Sequence, residues 1–214
     1  MNPLKSVPGT IIAGFVLAIV ILLATGDGPM TAIGSGKANA LIIWFHVFAG
    51  IIWIGLLYYF NFVQVPALGE AASDDGGPGG AGITKYVAPR ALFWFRWGAL
   101  ATWVTGAAFL MHSAKGSLAG AFMLGMGGET IHAYNMTIGI GAWLGTIMLF
   151  NVWVLIWPNQ KKVLGMVEAS ADEIAKAKNM AFMASRSNTL MSIPLIMSMV
   201  GAGHGFIMRS EEHT

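Results

Sequence analysis

The amino-acid sequence predicts an all-α integral membrane protein, built as a helical bundle of about five transmembrane helices. Three observations predict this class. Hydrophobic residues make up 56% of the 214 residues and only 10% are charged, whereas a soluble domain has about 25% charged residues. The mean hydropathy is +0.66. Several uncharged stretches are also long enough to cross the hydrocarbon core of a bilayer, which takes about 20 apolar residues.

The composition also restricts the chemistry and the partners. The chain has no cysteine, which excludes disulfides, Fe–S clusters, thiolate ligands and a covalent c-type haem, because that haem requires C-x-x-C-H. The basic residues are spread over several loops and the net charge is only +2, so we expect no nucleic-acid partner. The length predicts a single transmembrane domain over residues 1–214.

Five segments are predicted to span the membrane. The first follows a short basic start, and its apolar run is long for a signal peptide, so we predict a short transmembrane helix there. The second is uncharged from 40 to 63. Another apolar stretch, 118–128, is too short and too rich in glycine to span, which predicts a loop or re-entrant turn. The five predicted helices cover 9–25, 39–63, 90–112, 133–157 and 189–208.

Two connecting segments have their own patterns. Residues 69–85 are rich in Gly, Asp and Ala, which predicts a flexible loop. Residues 159–188 predict a cytoplasmic amphipathic helix at the inner membrane surface, or equally an extension of the fifth transmembrane helix. Within this segment, Ser170 and Glu173 have the spacing of a capping box.

The lysines and arginines predict an N-in/C-out orientation. Cytoplasmic loops carry an excess of Lys and Arg, and this orientation places nine of the 12 basic residues inside. The three on the outer side are Lys37, Lys115 and Arg209. The opposite orientation would reverse that excess.

Four of the five histidines are predicted to gather at the outer ends of four different helices. His46 is about 10 Å along the second helix from its outer end. His112 ends the third helix, His132 begins the fourth, and His204 lies about one turn from the end of the fifth. His213 is in the polar tail. Ionisable residues inside membranes usually face the bundle interior and serve a function, and imidazole is the commonest metal ligand.

These four histidines are therefore candidate ligands of one or two b-type haems. Glycines near them, such as those of "GAGHGF" around His204, would let a porphyrin approach the backbone, although small residues also serve helix packing. Asn135 lies one turn from His132 and is expected beside the site. Arg96 either snorkels to the cytoplasmic interface or pairs with a haem propionate or an anionic substrate. Further polar residues in or beside the helices predict interhelical hydrogen bonds: Asn61, Gln64, Asn151 and Asn188.

Other metals are weighed against haem. Copper held by His and Met is a less favoured alternative, and zinc would have only Glu129 nearby as a general base. Glu129 and His132 also form half of the Glu-x-x-His pattern of di-iron carboxylate proteins. That site needs about four carboxylates, and the predicted transmembrane segments contain none, so we exclude it.

Four stretches carry a family resemblance. "WFHVFAGIIWIGLLYYFNFVQVP" (44–66), "RWGALATWVTG" (96–106), "NVWVLIWPNQKK" (151–162) and "SRSNTLMSIP" (185–194) together resemble the N-terminal membrane domain of the bacterial cytochrome c-coupled urate oxidase family. The helix that contains His46 is also distantly similar to the haem-binding helix of the membrane protoporphyrinogen oxidase and copper-resistance D group. The resemblance implies a bacterial inner-membrane protein whose electrons pass to a periplasmic cytochrome c. Family members carry a c-type cytochrome domain after the membrane domain, which a chain without cysteine does not supply for itself.

Three functions are consistent with these observations. The first is a haem b-binding redox protein that exchanges electrons near the periplasmic face with a cytochrome c or a larger membrane complex. The second is an accessory structural subunit of a respiratory or oxygenase complex. The third is a urate-oxidising membrane enzyme that uses a separate cytochrome c. In each case we expect an oligomer or a complex subunit.

Overall fold

The structure, a computed structural model, describes residues 2–25, 35–128 and 131–204, and these residues form helices and turns without a β-strand. The predicted all-α class is confirmed. The chain falls into two compact units, Met1–Leu41 and Ile42–Thr214. Several sequence predictions lie outside the described residues: those for Glu129, Arg209 and His213 and for the end of the fifth helix, 205–208.

The first unit contains a short 3-10 turn, Pro3–Lys5, and helix α1, Val7–Thr25. The side chain of Asn2 caps the turn, because its Oδ1 accepts a hydrogen bond of 2.9 Å from the backbone N–H of Leu4. Most apolar side chains of α1 are exposed along its length. A helix that is apolar on all sides is typical of a membrane span.

The remaining helices are longer than the sequence predicts. Three π-helical segments, Phe60–Gln64, Ile83–Val87 and Asn151–Ile156, continue directly into the following helices. The prediction of a flexible loop over 69–85 is therefore wrong at both its ends, which are helical. The helices are α2 (Ser35–Tyr59), α3 (Val65–Ser73), α4 (Ala88–His112), α5 (Leu118–Phe122), α6 (Ala133–Phe150), α7 (Trp157–Val163) and α8 (Ala171–His204).

Prolines explain where the π-helical segments form. Pro66, Pro89 and Pro158 each occupy the second position of the helix that follows such a segment. A proline has no N–H to donate and its ring crowds the preceding turn. A wider π turn accommodates that change without ending the helix, and so the chain runs on past the predicted ends at 63 and 157.

The segment 159–188 is divided between two helices. Residues 159–163 end α7, a turn covers 164–170, and residues from Ala171 onward belong to α8, which continues to His204 without a break at Pro194. Of the two alternatives in the sequence, an extension of the last long helix is therefore observed. The capping box is present: Glu173 Oε2 accepts from the N–H of Ser170 at 2.9 Å, and Ser170 Oγ accepts from the N–H of Glu173 at 3.3 Å.

Among the residues that the structure describes, three helical stretches are long and apolar enough to cross a membrane. They are Val7–Ala24, Ala38–Ser73 and Ala133–Val163. The fold is thus compatible with a membrane protein. The count of five spans and the N-in/C-out orientation stay predictions.

The core of the second unit has two parts. The larger part lies where α2, α4 and α6 meet, around Trp53, Phe95 and Met148. The smaller part joins α4, α5, α6 and α8 through four buried side chains: Leu110, Ala121, Ile138 and Ala202. Three of the candidate histidines are near this smaller part in sequence, and it therefore defines the histidine end of the helices.

Candidate functional site

His46 makes the most defined contact among the candidate ligands. Its ring is half-buried, and its Nδ1 lies 2.8 Å from the backbone carbonyl oxygen of Thr102 and 3.3 Å from Oγ1 of Thr105. A glycine at 106 leaves room for the ring, because a Cβ there would lie 2.9 Å from Cε1 of His46. The side chain thus links α2 to α4.

This contact fixes the tautomer of His46. A carbonyl oxygen can only accept a hydrogen bond, so Nδ1 carries the proton and donates. The neutral ring then keeps a lone pair on Nε2. Metal-ligating histidines usually donate the N–H of one nitrogen to such a partner while the other nitrogen binds the metal. The arrangement at His46 is one that would suit a ligand of the predicted haem.

His112 has the same tautomer in a more exposed place. Its Nδ1 lies 2.9 Å from the carbonyl oxygen of Ala108, one turn earlier in α4. Since that carbonyl can only accept, the proton of the neutral ring is again on Nδ1. His112 is ten residues beyond Thr102, so His46 contacts α4 about 15 Å deeper along the helix axis.

His132 serves a different purpose in the structure. It is the N-cap of α6, and its Nδ1 accepts a hydrogen bond of 3.2 Å from the backbone N–H of Asn135. In the neutral ring the proton must then be on Nε2. This tautomer suits a helix cap and is the reverse of the one that a ligand bound through Nε2 requires.

His204 ends α8, and its side chain is exposed. Helices α6 and α8 pack antiparallel, and Ser198 of α8 donates a hydrogen bond to the carbonyl oxygen of Thr137 in α6. His132 is five residues before Thr137 and His204 is six residues after Ser198, so both histidines lie toward the same end of this helix pair. The fold thus brings His112, His132 and His204 toward one end of the second unit, with His46 deeper.

The two other candidate site residues have structural contacts. Asn135 is buried, and its Oδ1 accepts from the N–H of Ser117 at 3.2 Å, which anchors the connection before α5. Arg96 stacks its guanidinium on Trp157, with Cζ 3.7 Å from the ring centroid. Roles for either residue beside a cofactor stay predictions.

Within the described residues, no three His, Asp or Glu side chains are grouped so that they could hold a metal ion. A bis-histidine haem needs only two protein ligands, so this finding bears mainly on compact metal centres such as the zinc alternative. The haem and copper assignments stay predictions.

The sequence interpretation missed a cavity at the opposite end of the second unit. It measures about 760 Å³ and is lined mainly by the π-helical segment Phe60–Gln64 and by residues of α3, α4, α7 and α8. The buried amides of Asn61 and Gln64 both border it. The sequence signal that could have indicated this cavity is the pair of amide residues just before Pro66, in "FNFVQVP".

The fold and the histidine end together define an all-helical, membrane-compatible protein with candidate ligands for a redox cofactor. Comparison with known families adds one finding: residues 128–213 match the family described as urate oxidase N-terminal. The match covers less than half of the chain, and it includes the third and fourth stretches of the sequence resemblance but not the first two. A urate oxidase-related N-terminal domain is thereby supported. No curated protein matches the chain, and no solved structure matches it.

Proposed function

We propose that this protein is a haem b-binding redox protein of the bacterial inner membrane. Its haem site lies at the histidine end, which the predicted orientation places near the periplasmic face. The observation that carries the proposal is the hydrogen bond from Nδ1 of His46 to the carbonyl of Thr102. It holds the ring in one orientation and leaves Nε2 for a metal.

His46 is the residue within the helices that would hold the haem. His112 lies about 15 Å farther along α4 than the contact of His46, which is too far for both to hold one haem, so no second ligand is assigned and His112 and His204 stay sequence candidates. His132 is assigned to capping α6 instead. When bound, haem b would supply one-electron transfer. The chain would position it, orient the His46 ring through Thr102, and surround it with apolar side chains.

The proposed electron partner is a periplasmic cytochrome c or a larger membrane complex. A haem near one face of the membrane is within reach of a soluble carrier on that side. These 214 residues contain no cysteine, so none of them would bind a c-type haem covalently.

A second candidate function is favoured by the family match at 128–213. Under it, the protein oxidises urate and passes the electrons to a separate cytochrome c. An accessory structural subunit is the third possibility, and it requires no redox activity of the chain itself.

A reduced-minus-oxidised absorption spectrum of the purified protein, with a pyridine haemochrome assay, tests the proposal. We expect a b-type α band that is lost in His46→Ala and retained in His213→Ala. A flat spectrum from protein purified in haem-replete cells would overturn the haem assignment. Reduction of the haem by added urate would select the enzyme over the simple electron carrier.

A further inference from the structure

An open groove lies on the surface of the second unit, between α4 and the end of α6. It measures about 450 Å³. Its walls come from α4, from α6 and from the π-helical segment after α6, and they include Leu100, Val104 and Trp153. Among the described residues, no wall belongs to α2, the helix of His46, so the groove is separate from the proposed haem ligand.

The described walls of this groove are apolar and offer no side-chain N–H or O–H to a ligand. The hydroxyl of Thr146 donates to a backbone carbonyl one turn earlier and accepts from Nε1 of Trp103, both at 2.8 Å. Nε1 of Trp153 is buried. Because a polar group would lose its hydrogen bonds to water there, the groove suits a hydrocarbon chain and not a headgroup.

The groove opens outward on a helix that is able to cross a membrane. Val104 and Phe150, which line it, are 51% and 55% exposed. Phe150 belongs to Ala133–Val163, one of the stretches long and apolar enough to span. Exposed apolar side chains on such a helix meet acyl chains, which are as apolar as the side chains themselves.

A half-buried arginine lies about one helical turn beyond one end of the groove. Arg96 precedes the groove residue Leu100 by four positions, and Trp157 follows the groove residue Trp153 by four, so each is a neighbour of a wall. The guanidinium of Arg96 stacks on Trp157, with Cζ 3.7 Å from the ring centroid. Trp97, next to Arg96, packs edge to face on Trp153 with centroids 5.4 Å apart. The groove therefore ends at the stacked guanidinium.

The positive charge of Arg96 has no carboxylate partner in the part of the chain that the structure describes. The ion pair found there joins Lys162 to Glu173 at 3.6 Å. A second cation lies close to Arg96, because Nζ of Lys161 is 5.9 Å from the centroid of the same Trp157 ring. A guanidinium matches the geometry of a phosphate with two parallel hydrogen bonds. An apolar groove that ends at two cations is complementary to a lipid with a negative headgroup.

We propose that the groove and Arg96 bind an anionic phospholipid of the phosphatidylglycerol class. One acyl chain lies in the groove, and the phosphate accepts hydrogen bonds from the guanidinium of Arg96. Lys161, on its flexible stem, adds a second positive charge. A zwitterionic phospholipid has the same phosphate, but its own ammonium group would lie beside these two cations, so the site selects the anionic headgroup. In the predicted N-in/C-out orientation this lipid belongs to the cytoplasmic leaflet.

Native mass spectrometry of the whole chain in detergent tests the proposal. The protein is titrated with phosphatidylglycerol and, separately, with phosphatidylcholine of the same acyl chains, and the dissociation constant of the first bound lipid is measured. We expect phosphatidylglycerol to bind about fivefold or more tightly, which is the contribution of one basic side chain near a membrane surface. In Arg96→Gln this preference should disappear.

Arg90→Gln is the matched control for charge. Arg90 is exposed, lies six residues before Arg96 in α4, and donates to the carbonyl oxygen of Tyr86 in its own turn. Its replacement removes the same charge at a distance from the groove, so the preference for phosphatidylglycerol should remain. An unchanged preference in Arg96→Gln, or an equal loss in Arg90→Gln, would overturn the proposal.

Two tryptophan variants test the groove without altering a charge. Val104 and Val154 are 51% and 48% exposed, so both variants should fold, but only Val104 lines the groove. Val104→Trp should weaken phosphatidylglycerol binding about threefold or more, because the indole displaces the acyl chain from its contacts. Val154→Trp should leave it unchanged.

Three further results would each overturn the proposal: equal affinity for the two lipids, equal binding by the two tryptophan variants, or a dimer that Val104→Trp abolishes. The last result would make a second copy of the chain the occupant of the groove. Because lipid binding is measured directly, none of these outcomes depends on haem.

Discussion

Nδ1 of His46 lies 2.8 Å from the carbonyl oxygen of Thr102, and this hydrogen bond joins α2 to α4 in the middle of an apolar surface. A histidine in such a place is satisfied on one nitrogen by the protein itself. The other nitrogen, Nε2, is the one that the proposed function requires. The bond depends on the missing side chain at Gly106, over which the ring lies.

The first prediction is that Gly106→Ala displaces the His46 ring. The new Cβ would be 2.9 Å from Cε1, closer than real Cβ contacts allow, so the ring must turn and weaken its bond to Thr102. We expect a loss of about 1 kcal/mol in unfolding free energy and a reduced haem content. The control is Gly55→Ala, where a Cβ meets no atom within 4 Å. Equal haem content in the two variants would contradict the role of His46.

The second prediction separates capping from ligation at His132. His132→Ala should destabilise the protein by about 1 kcal/mol, because the N–H of Asn135 loses its acceptor. His132→Asn should restore stability, since asparagine is a preferred N-cap. Thermal unfolding followed by circular dichroism measures both. If His132→Asn is stable yet loses haem, His132 is a ligand after all.

Helix periodicity and hydropathy allowed the class, the long helices and the Ser170–Glu173 capping box to be predicted from the sequence. The predicted helix ends at 63 and 157 were too early. Pro66 and Pro158 indicate a stop at short range, but the π turns before them keep the helices going. Such turns depend on packing around the whole segment, which no local pattern records.

The candidate site was predictable in its residues but not in their tautomers. Sequence spacing placed His112, His132 and His204 near helix ends. It could not distinguish His112, which donates to Ala108, from His132, which accepts from Asn135. Those roles depend on hydrogen bonds one turn away, whose direction is set by the local backbone.

The third prediction concerns the buried amide pair of Asn151, which begins the π-helical segment after α6, and Asn188 of α8. Asn188 is fully buried, accepts from Nδ2 of Asn151 at 2.8 Å, and donates to the carbonyl of Met148 at 3.1 Å. Asn188→Leu should cost about 1–3 kcal/mol by leaving Asn151 without its acceptor.

A double-mutant cycle with Asn151→Leu tests the coupling of that pair. We expect the double variant to be less destabilised than the sum of the two single variants, because no unpaired amide remains. Chemical unfolding in detergent gives the four free energies. Strict additivity would show that the two amides do not depend on each other.

The last prediction concerns pH and the start of α8. Hydrogen bonds from the N–H and the hydroxyl of Ser170, together with Lys162 at 3.6 Å, hold the pKa of Glu173 below its ordinary value. A carboxyl whose pKa is lower in the folded state stabilises the fold above its unfolded pKa. This contribution is lost as pH falls through the folded pKa. The thermal midpoint should therefore fall on acidification below the ordinary range of glutamate.

Glu173→Gln keeps an acceptor but cannot titrate, so its midpoint should fall less over the same range. Parallel pH profiles for wild type and variant would show that the capping carboxylate contributes nothing measurable.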